Sequence, residues 1–126
     1  MIAHVTASAL ASENKTLSHP ASVYSVPTSG GQENLVSMAT WSGYKLLTIQ
    51  ENVKKILAIE MLVSCAAYYL CHTKLEPGNG TSCIINAARS VLKISQGDRE
   101  LSDEINKLVS IISDCLLYTS PSPRDS

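Results

Sequence analysis

Apolar and polar positions divide the chain into stretches of helical period separated by clusters of Gly, Pro and small hydroxyl residues. Val5 to Ser18 carries Ala, Leu, Glu and Lys without Gly or Pro. Pro20 then forbids further helical hydrogen bonding, so the pattern predicts a helix followed by a break. Between Pro20 and Gly31 the breakers are too dense for a helix and the alternation too poor for a strand, which predicts a structured loop. From about Gln32 to Cys71 there is no proline and only Gly43, and apolar residues recur at Leu46, Ile49, Val53 and Ile56, then Leu57, Met61 and Leu62. That spacing predicts one long helix.

Two shorter helices follow. The Pro77-Gly78-Asn79-Gly80 run predicts a turn, after which Thr81 or Ser82 caps a helix carrying Ile84, Ile85, Ala88, Val91 and Leu92, ended by Gly97. Ser102 caps the last helix, whose first turn holds Asp103 and Glu104 at the positive end of the dipole and whose apolar stripe is Ile105, Leu108, Val109 and Ile112. The fold class is therefore all-α, a long central helix with shorter ones beside it. At ~1.5 Å per residue the long helix would be a rod of roughly 60 Å, about twice the diameter of a small domain. Glu51 and Lys55 pair across one turn on its wet side, while Ile49, Val53, Ile56, Leu57, Met61 and Ala66 call for neighbouring helices.

Composition narrows the partners. Hydrophobic residues make up 44% of the chain but aromatics only 5%, with no Phe, so a core must be built from Leu, Ile, Val, Ala and Met. The net charge of -1 and scattered Lys and Arg argue against a nucleic-acid partner. The most apolar stretch, Ile56 to Cys71, falls short of the roughly 20 residues that cross a bilayer and contains Glu60, so no membrane role is expected. Cys65, Cys71, Cys83 and Cys115 form no Cys-x-x-Cys pair and fit reduced thiols of a cytoplasmic protein. His4, His19 and His72 share no helix face, so no metal site is expected.

Candidate chemistry centres on Gln32 and Glu33. Local physics reads Ser29-x-x-Gln32 as a capping box at the start of the long helix, with Glu33 complementing the dipole. Glu13 is a second acidic candidate, more often solvated or ion-paired at such a position. Trp41 and Tyr44, and the Tyr68-Tyr69 pair, are expected to be packing anchors.

A resemblance changes the reading of the loop. Ser12-Glu13-Asn14-Lys15, His19-Pro20-Ala21-Ser22-Val23 and Pro27-Thr28-Ser29-Gly30-Gly31-Gln32-Glu33, running into Val36-Ser37-Met38, resemble the aromatic amino acid lyases, histidine ammonia-lyases in particular. Weaker matches follow at Glu51-Asn52-Val53, Leu57-Ala58-Ile59-Glu60, Pro77-Gly78 and Asp98-Arg99. The resemblance implies elimination of ammonia from L-histidine to give urocanate, in a cytoplasmic homotetramer, with Glu33 and Gln32 at the substrate's side chain. It also implies an electrophilic methylidene-imidazolone made from Ala-Ser-Gly. No Ala-Ser-Gly occurs here, and Thr28-Ser29-Gly30 lacks the surrounding motif, so catalytic residues are expected outside this sequence.

Phenylalanine and tyrosine ammonia-lyases tend to show Asn-Gln followed by Asp in this region; Gly31-Gln32-Glu33-Asn34 keeps the acid, which favours histidine. Asn34-Leu35 stands where many histidine lyases have Asp-His, and Tyr24 where they often have Asp. A phenylalanine or tyrosine ammonia-lyase, or an aminomutase of the same family, is the rival within the chemistry. A free-standing helical oligomerisation protein is the rival of another class. Because such lyase subunits run to several hundred residues, residues 1–114 are expected to be a carboxy-terminal helical piece of one, inactive alone. Residues 115–126, beginning Cys115-Leu116-Leu117-Tyr118-Thr119-Ser120, resemble the translation of a sequencing-library adapter and are expected to be disordered.

Overall fold

The long apolar periodicity becomes one helix, and the other helices among the described residues pack against it. In the computed structural model, residues 1–71, 76–93 and 99–114 are described. They form α1 (Ile2–Leu17), α2 (Ala39–Leu70), α3 (Asn79–Arg89) and α4 (Ser102–Ser113), with short 3-10 turns at Ala21–Tyr24 and Ser29–Gly31. The all-α expectation holds. The expected adapter-like tail and the expected helix terminator Gly97 lie outside the described residues.

Two seams on α2 organise the packing. On one side Lys45, Ile49, Asn52, Ile56 and Ile59 recur at alternating spacings of four and three, and the shielded positions of α1 (Ala3, Ala7, Leu10, Asn14 and Leu17) follow the same rhythm. The pairs Lys45–His19 and Asn52–Asn14 run these helices antiparallel. Ala3 and Ala7 keep α1 small on its contact face; none of its residues is fully buried. Around the carboxy-terminal half of α2, Ala58, Met61, Leu62 and Cys65 close a core with Ile85 and Ala88 of α3 and Leu108 of α4. Burial raises the pKa of the Cys65 thiol.

α1 starts at Ile2, ahead of Val5, and α3 ends at Arg89, so Val91 and Leu92, expected on that helix, lie beyond it; the structure departs from the sequence-based reading at four further points. First, α2 begins at Ala39, not near Gln32, so the rod is about 48 Å long at ~1.5 Å per residue. The reason is backbone geometry: Met38, directly before α2, has a left-handed φ of 53°, which a continuous right-handed helix does not admit, and the Val36 N–H is taken by Ser25 Oγ rather than by a helical carbonyl. Second, α3 starts at Asn79 after Gly78 in extended conformation, ahead of the expected caps Thr81 and Ser82, and the Ser82 N–H closes its first turn on the Gly78 carbonyl at 2.8 Å. Third, Ser102 is the first residue of α4 and makes no capping hydrogen bond; Leu101 holds the cap position. Fourth, Glu51 pairs with Lys54 at 2.8 Å, one position short of the expected Lys55.

Beside Asp103, Glu104 also departs from a simple dipole role. It is buried, taking two hydrogen bonds from Arg99 and one from the Lys93 N–H.

Candidate functional site

The loop between α1 and α2 carries the candidate residues, and its two limbs are tied at three levels. At the base, Lys45 Nζ donates to the His19 carbonyl just past the end of α1. Pro20 turns the chain outward (φ −60°, ψ 126°), and Ala21 is buried beneath it. The His19 and Tyr24 rings lie 5.7 Å apart, tilted, beside this turn. Higher up, the Val36 N–H donates to Ser25 Oγ at 2.7 Å. At the tip, Thr28 and Glu33 form an antiparallel bridge, with N–H···O distances of 2.9 and 3.4 Å.

The reversal inside this bridge needs three successive residues at positive φ: Ser29 (55°), Gly30 (65°) and Gly31 (87°). Glycine enters that region without the Cβ clash other residues suffer, which accounts for the Gly-Gly pair. The geometry replaces the expected capping box: Gln32 donates its backbone N–H to the Ser29 carbonyl at 3.3 Å, and no side-chain cap forms. Glu33 consequently stands in the loop, ahead of the helix it was expected to open, and gains nothing from the α2 macrodipole.

Gln32 and Glu33 are both exposed at the tip. The Glu33 carboxylate receives a long contact from Thr28 Oγ1 at 3.4 Å. That leaves room around the carboxylate for a donor from elsewhere.

Where the second limb enters α2, Val36, Met38, Trp41 and Tyr44 surround an open, mostly apolar hollow of about 430 Å³. Trp41 and Tyr44, expected to be packing anchors, are 59% and 62% exposed. The reason is reach: α3 and α4 cover only the carboxy-terminal half of α2. Tyr68 and Tyr69 do pack against the core and meet edge to face at 5.4 Å.

Glu13 is exposed, as expected of a helix-flank acid, but one of its oxygens is held by a hydrogen bond rather than an ion pair. Its Oε2 accepts from Asn52 Nδ2 at 2.9 Å, and Asn14 Oδ1 accepts from the same nitrogen at 3.0 Å. Asn52 is 5% exposed, the buried polar residue of the α1–α2 seam. The sequence did hold a signal for it, a polar side chain on the otherwise apolar stripe of Ile49, Ile56 and Ile59. His4 and His19 are exposed, and His72 lies outside the described residues. Among the described residues no group of three or more His, Cys, Asp or Glu gathers to hold a metal, and no helix is long and apolar enough to cross a membrane.

Comparisons with known proteins converge on one family. The aromatic amino acid lyase family model matches residues 1–90. A histidine ammonia-lyase of Gloeobacter violaceus is 41% identical over 115 residues, covering 90% of this chain and 22% of that protein. One from Burkholderia multivorans is 58% identical over 77 residues, covering 61% and 15% respectively. The crystal structure of histidine ammonia-lyase from Trypanosoma cruzi matches with a TM-score of 0.84 at 36% identity, over 94% of this chain and 23% of that one. The chain thus spans about a fifth of the length of these proteins.

Proposed function

We propose, for a chain that belongs to the aromatic amino acid lyase family, that it forms part of an enzyme eliminating ammonia from L-histidine to give urocanate, with Gln32 and Glu33 holding the substrate's imidazole. The observation that carries the site reading is the Glu33 carboxylate, presented at the exposed loop tip beside the Thr28 hydroxyl. An imidazole N–H meeting such a carboxylate forms a charge-assisted hydrogen bond, whereas a phenyl ring has no donor to offer. A site built around that bond disfavours the ring without it, because the acid would be desolvated unpaired.

The methylidene-imidazolone implied by the family does not fit residues of this chain. Thr28-Ser29-Gly30 is the nearest tripeptide, and it lies on an exposed turn closed by the Thr28–Glu33 bridge. The reacting groups therefore belong to the part of such proteins that this chain does not span. What this chain contributes is orientation, which raises a rate when it holds reactants in a productive geometry.

A homotetrameric, cytoplasmic parent is part of the same proposal. Its support is the apolar surface left on α2, where Leu46, Val53 and Leu57 share an exposed stripe, and the free thiols of Cys65, Cys71 and Cys83. The reading as a free-standing oligomerisation protein yields to the family match.

The test is Glu33→Gln in a full-length histidine ammonia-lyase carrying residues 1–90 of this chain in place of its own matching segment. Loss of one charge-assisted hydrogen bond should lower kcat/KM for L-histidine by roughly ten- to a hundredfold and narrow the preference over L-phenylalanine. Unchanged histidine turnover overturns the assignment.

A further inference from the structure

We propose that Asn52 is a positioning residue for the Gln32–Glu33 loop. Through Glu13 and Asn14 it fixes where α1 ends on α2, and so where residues 19–38 stand. The inference rests on the proposed function only for the loop's purpose; the anchoring follows from the geometry alone.

Asn52 is buried among apolar neighbours, where a polar group without partners is costly. Its amide nitrogen carries two hydrogens, and both have acceptors on α1, Glu13 Oε2 and Asn14 Oδ1. A carboxylate only accepts, so the Asn52 atom facing Glu13 must be the nitrogen; that contact orients the amide. Apolar contacts between α1 and α2 tolerate sliding, because α1 buries no residue completely and faces α2 partly with alanines. The two hydrogen bonds do not tolerate it, since they need one register and one rotation of α1. Lys45, two turns earlier on the same seam, repeats the tie at the His19 carbonyl, where the loop begins. Beyond that point Ala21 is the loop's only buried residue among those described, so most of the loop's placement is inherited from its base.

Asn52→Asp is nearly isosteric but removes both donors and sets a carboxylate against Glu13. At neutral pH the two acids repel; on acidification a shared proton restores a hydrogen bond between them. Glu13→Gln combined with Asn52→Asp restores the bond with its direction reversed, the new amide on α1 donating to the new carboxylate on α2.

Amide hydrogen exchange on the whole chain reads the outcome at the Thr28, Glu33 and Val36 N–H groups, with α3 and α4 as internal reference. Asn52→Asp should reduce loop protection roughly tenfold at pH 7 and less at pH 4, and the double variant should recover most of it. Lys45→Met, which keeps the stem and removes the donor, should weaken loop protection without touching α3 or α4, and serves if Asn52→Asp does not fold. Loop protection unchanged in both variants, or lost in the double variant as in the single one, overturns the proposal. Failure of Glu33→Gln to affect histidine turnover would remove the loop's proposed purpose and leave this anchoring intact, so the two ideas fail separately.

Discussion

Arg99 grips Glu104 with two parallel hydrogen bonds, Nε to Oε1 at 2.6 Å and Nη2 to Oε2 at 3.0 Å. The carboxylate is nearly buried at the start of α4 and takes a third bond from the Lys93 N–H. This arrangement joins three points of the chain, the segment leaving α3, the approach to α4 and α4 itself.

Acid should therefore loosen α4. The hydrogen bonds from Arg99, chiefly, hold the Glu104 carboxyl below its ordinary value of 4.5, against an opposing contribution from burial. A carboxyl depressed in the folded state contributes stability that is fully present above its unfolded pKa and lost as pH falls through the folded one. Wild-type urea midpoints should thus hold above about pH 5 and decline below 4.5, and Glu104→Gln should flatten that decline. Arg99→Ala, which strands the buried acid, should cost about 2–3 kcal/mol at pH 7, at or below the lower end for a buried pair because Arg99 keeps some solvent. An acid limb equally steep in wild type and Glu104→Gln would remove this ion pair as its cause.

Leu108 is the fully buried side chain through which α4 enters the core beside Ala58 and Ala88. Leu108→Ala should cost about 3 kcal/mol, from lost transfer energy and the cavity left between two helices already lined by alanines. Urea titration followed by circular dichroism measures it. A cost under about 1 kcal/mol would mean that α4 collapses onto α2 without strain.

Periodicity is enough to find the helices and much of the core. Met61, Ile85, Ala88 and Leu108 lie on stripes visible in the sequence because burial on one helical face writes itself at spacings of three and four. It fails at residues 32–38, where the good helix formers Gln32, Glu33, Leu35 and Met38 sit ahead of the helix. There the positive φ at Met38, the Thr28–Glu33 bridge and the Ser25–Val36 bond outweigh propensities worth tenths of a kcal/mol per residue. Val53 and Leu57 call for neighbours by their spacing and are exposed, since a single chain cannot report which face another body covers. The site shows the same division. Gln32 and Glu33 are candidates through family resemblance, whereas their local pattern points to a cap that does not form. Asn52 is conspicuous by its place on the seam, but its two partners lie a loop away in sequence and only the fold brings them together.

Gly31 should resist substitution for backbone reasons alone. An added Cβ would meet nothing within 4 Å, so sterics with neighbours are absent, yet φ is +87°. Gly31→Ala should destabilise the turn by about 1 kcal/mol, while Gly30→Asn, at φ +65°, should cost less because Asn tolerates the left-handed region. The reading is exchange at the Thr28 and Glu33 N–H groups, with the melting of α3 and α4 unchanged. Equal effects of both substitutions would point to a lost tertiary contact instead.

The exposed stripe on α2 separates stability of this chain from assembly. Val53 and Leu57, 40% and 43% exposed, lie on one line with Leu46, between the α1 seam and the core seam. Since each keeps about two-fifths of its surface in water, where a lysine can extend its ammonium outward, Val53→Lys with Leu57→Lys should change the chain's unfolding free energy by less than about 1 kcal/mol per site. Apolar surface in a continuous stripe favours association, so the same double variant should lower the apparent mass seen by light scattering at high protein concentration. A large loss of stability without change in association would show that the stripe serves this chain's own folding and would withdraw it as support for a larger assembly.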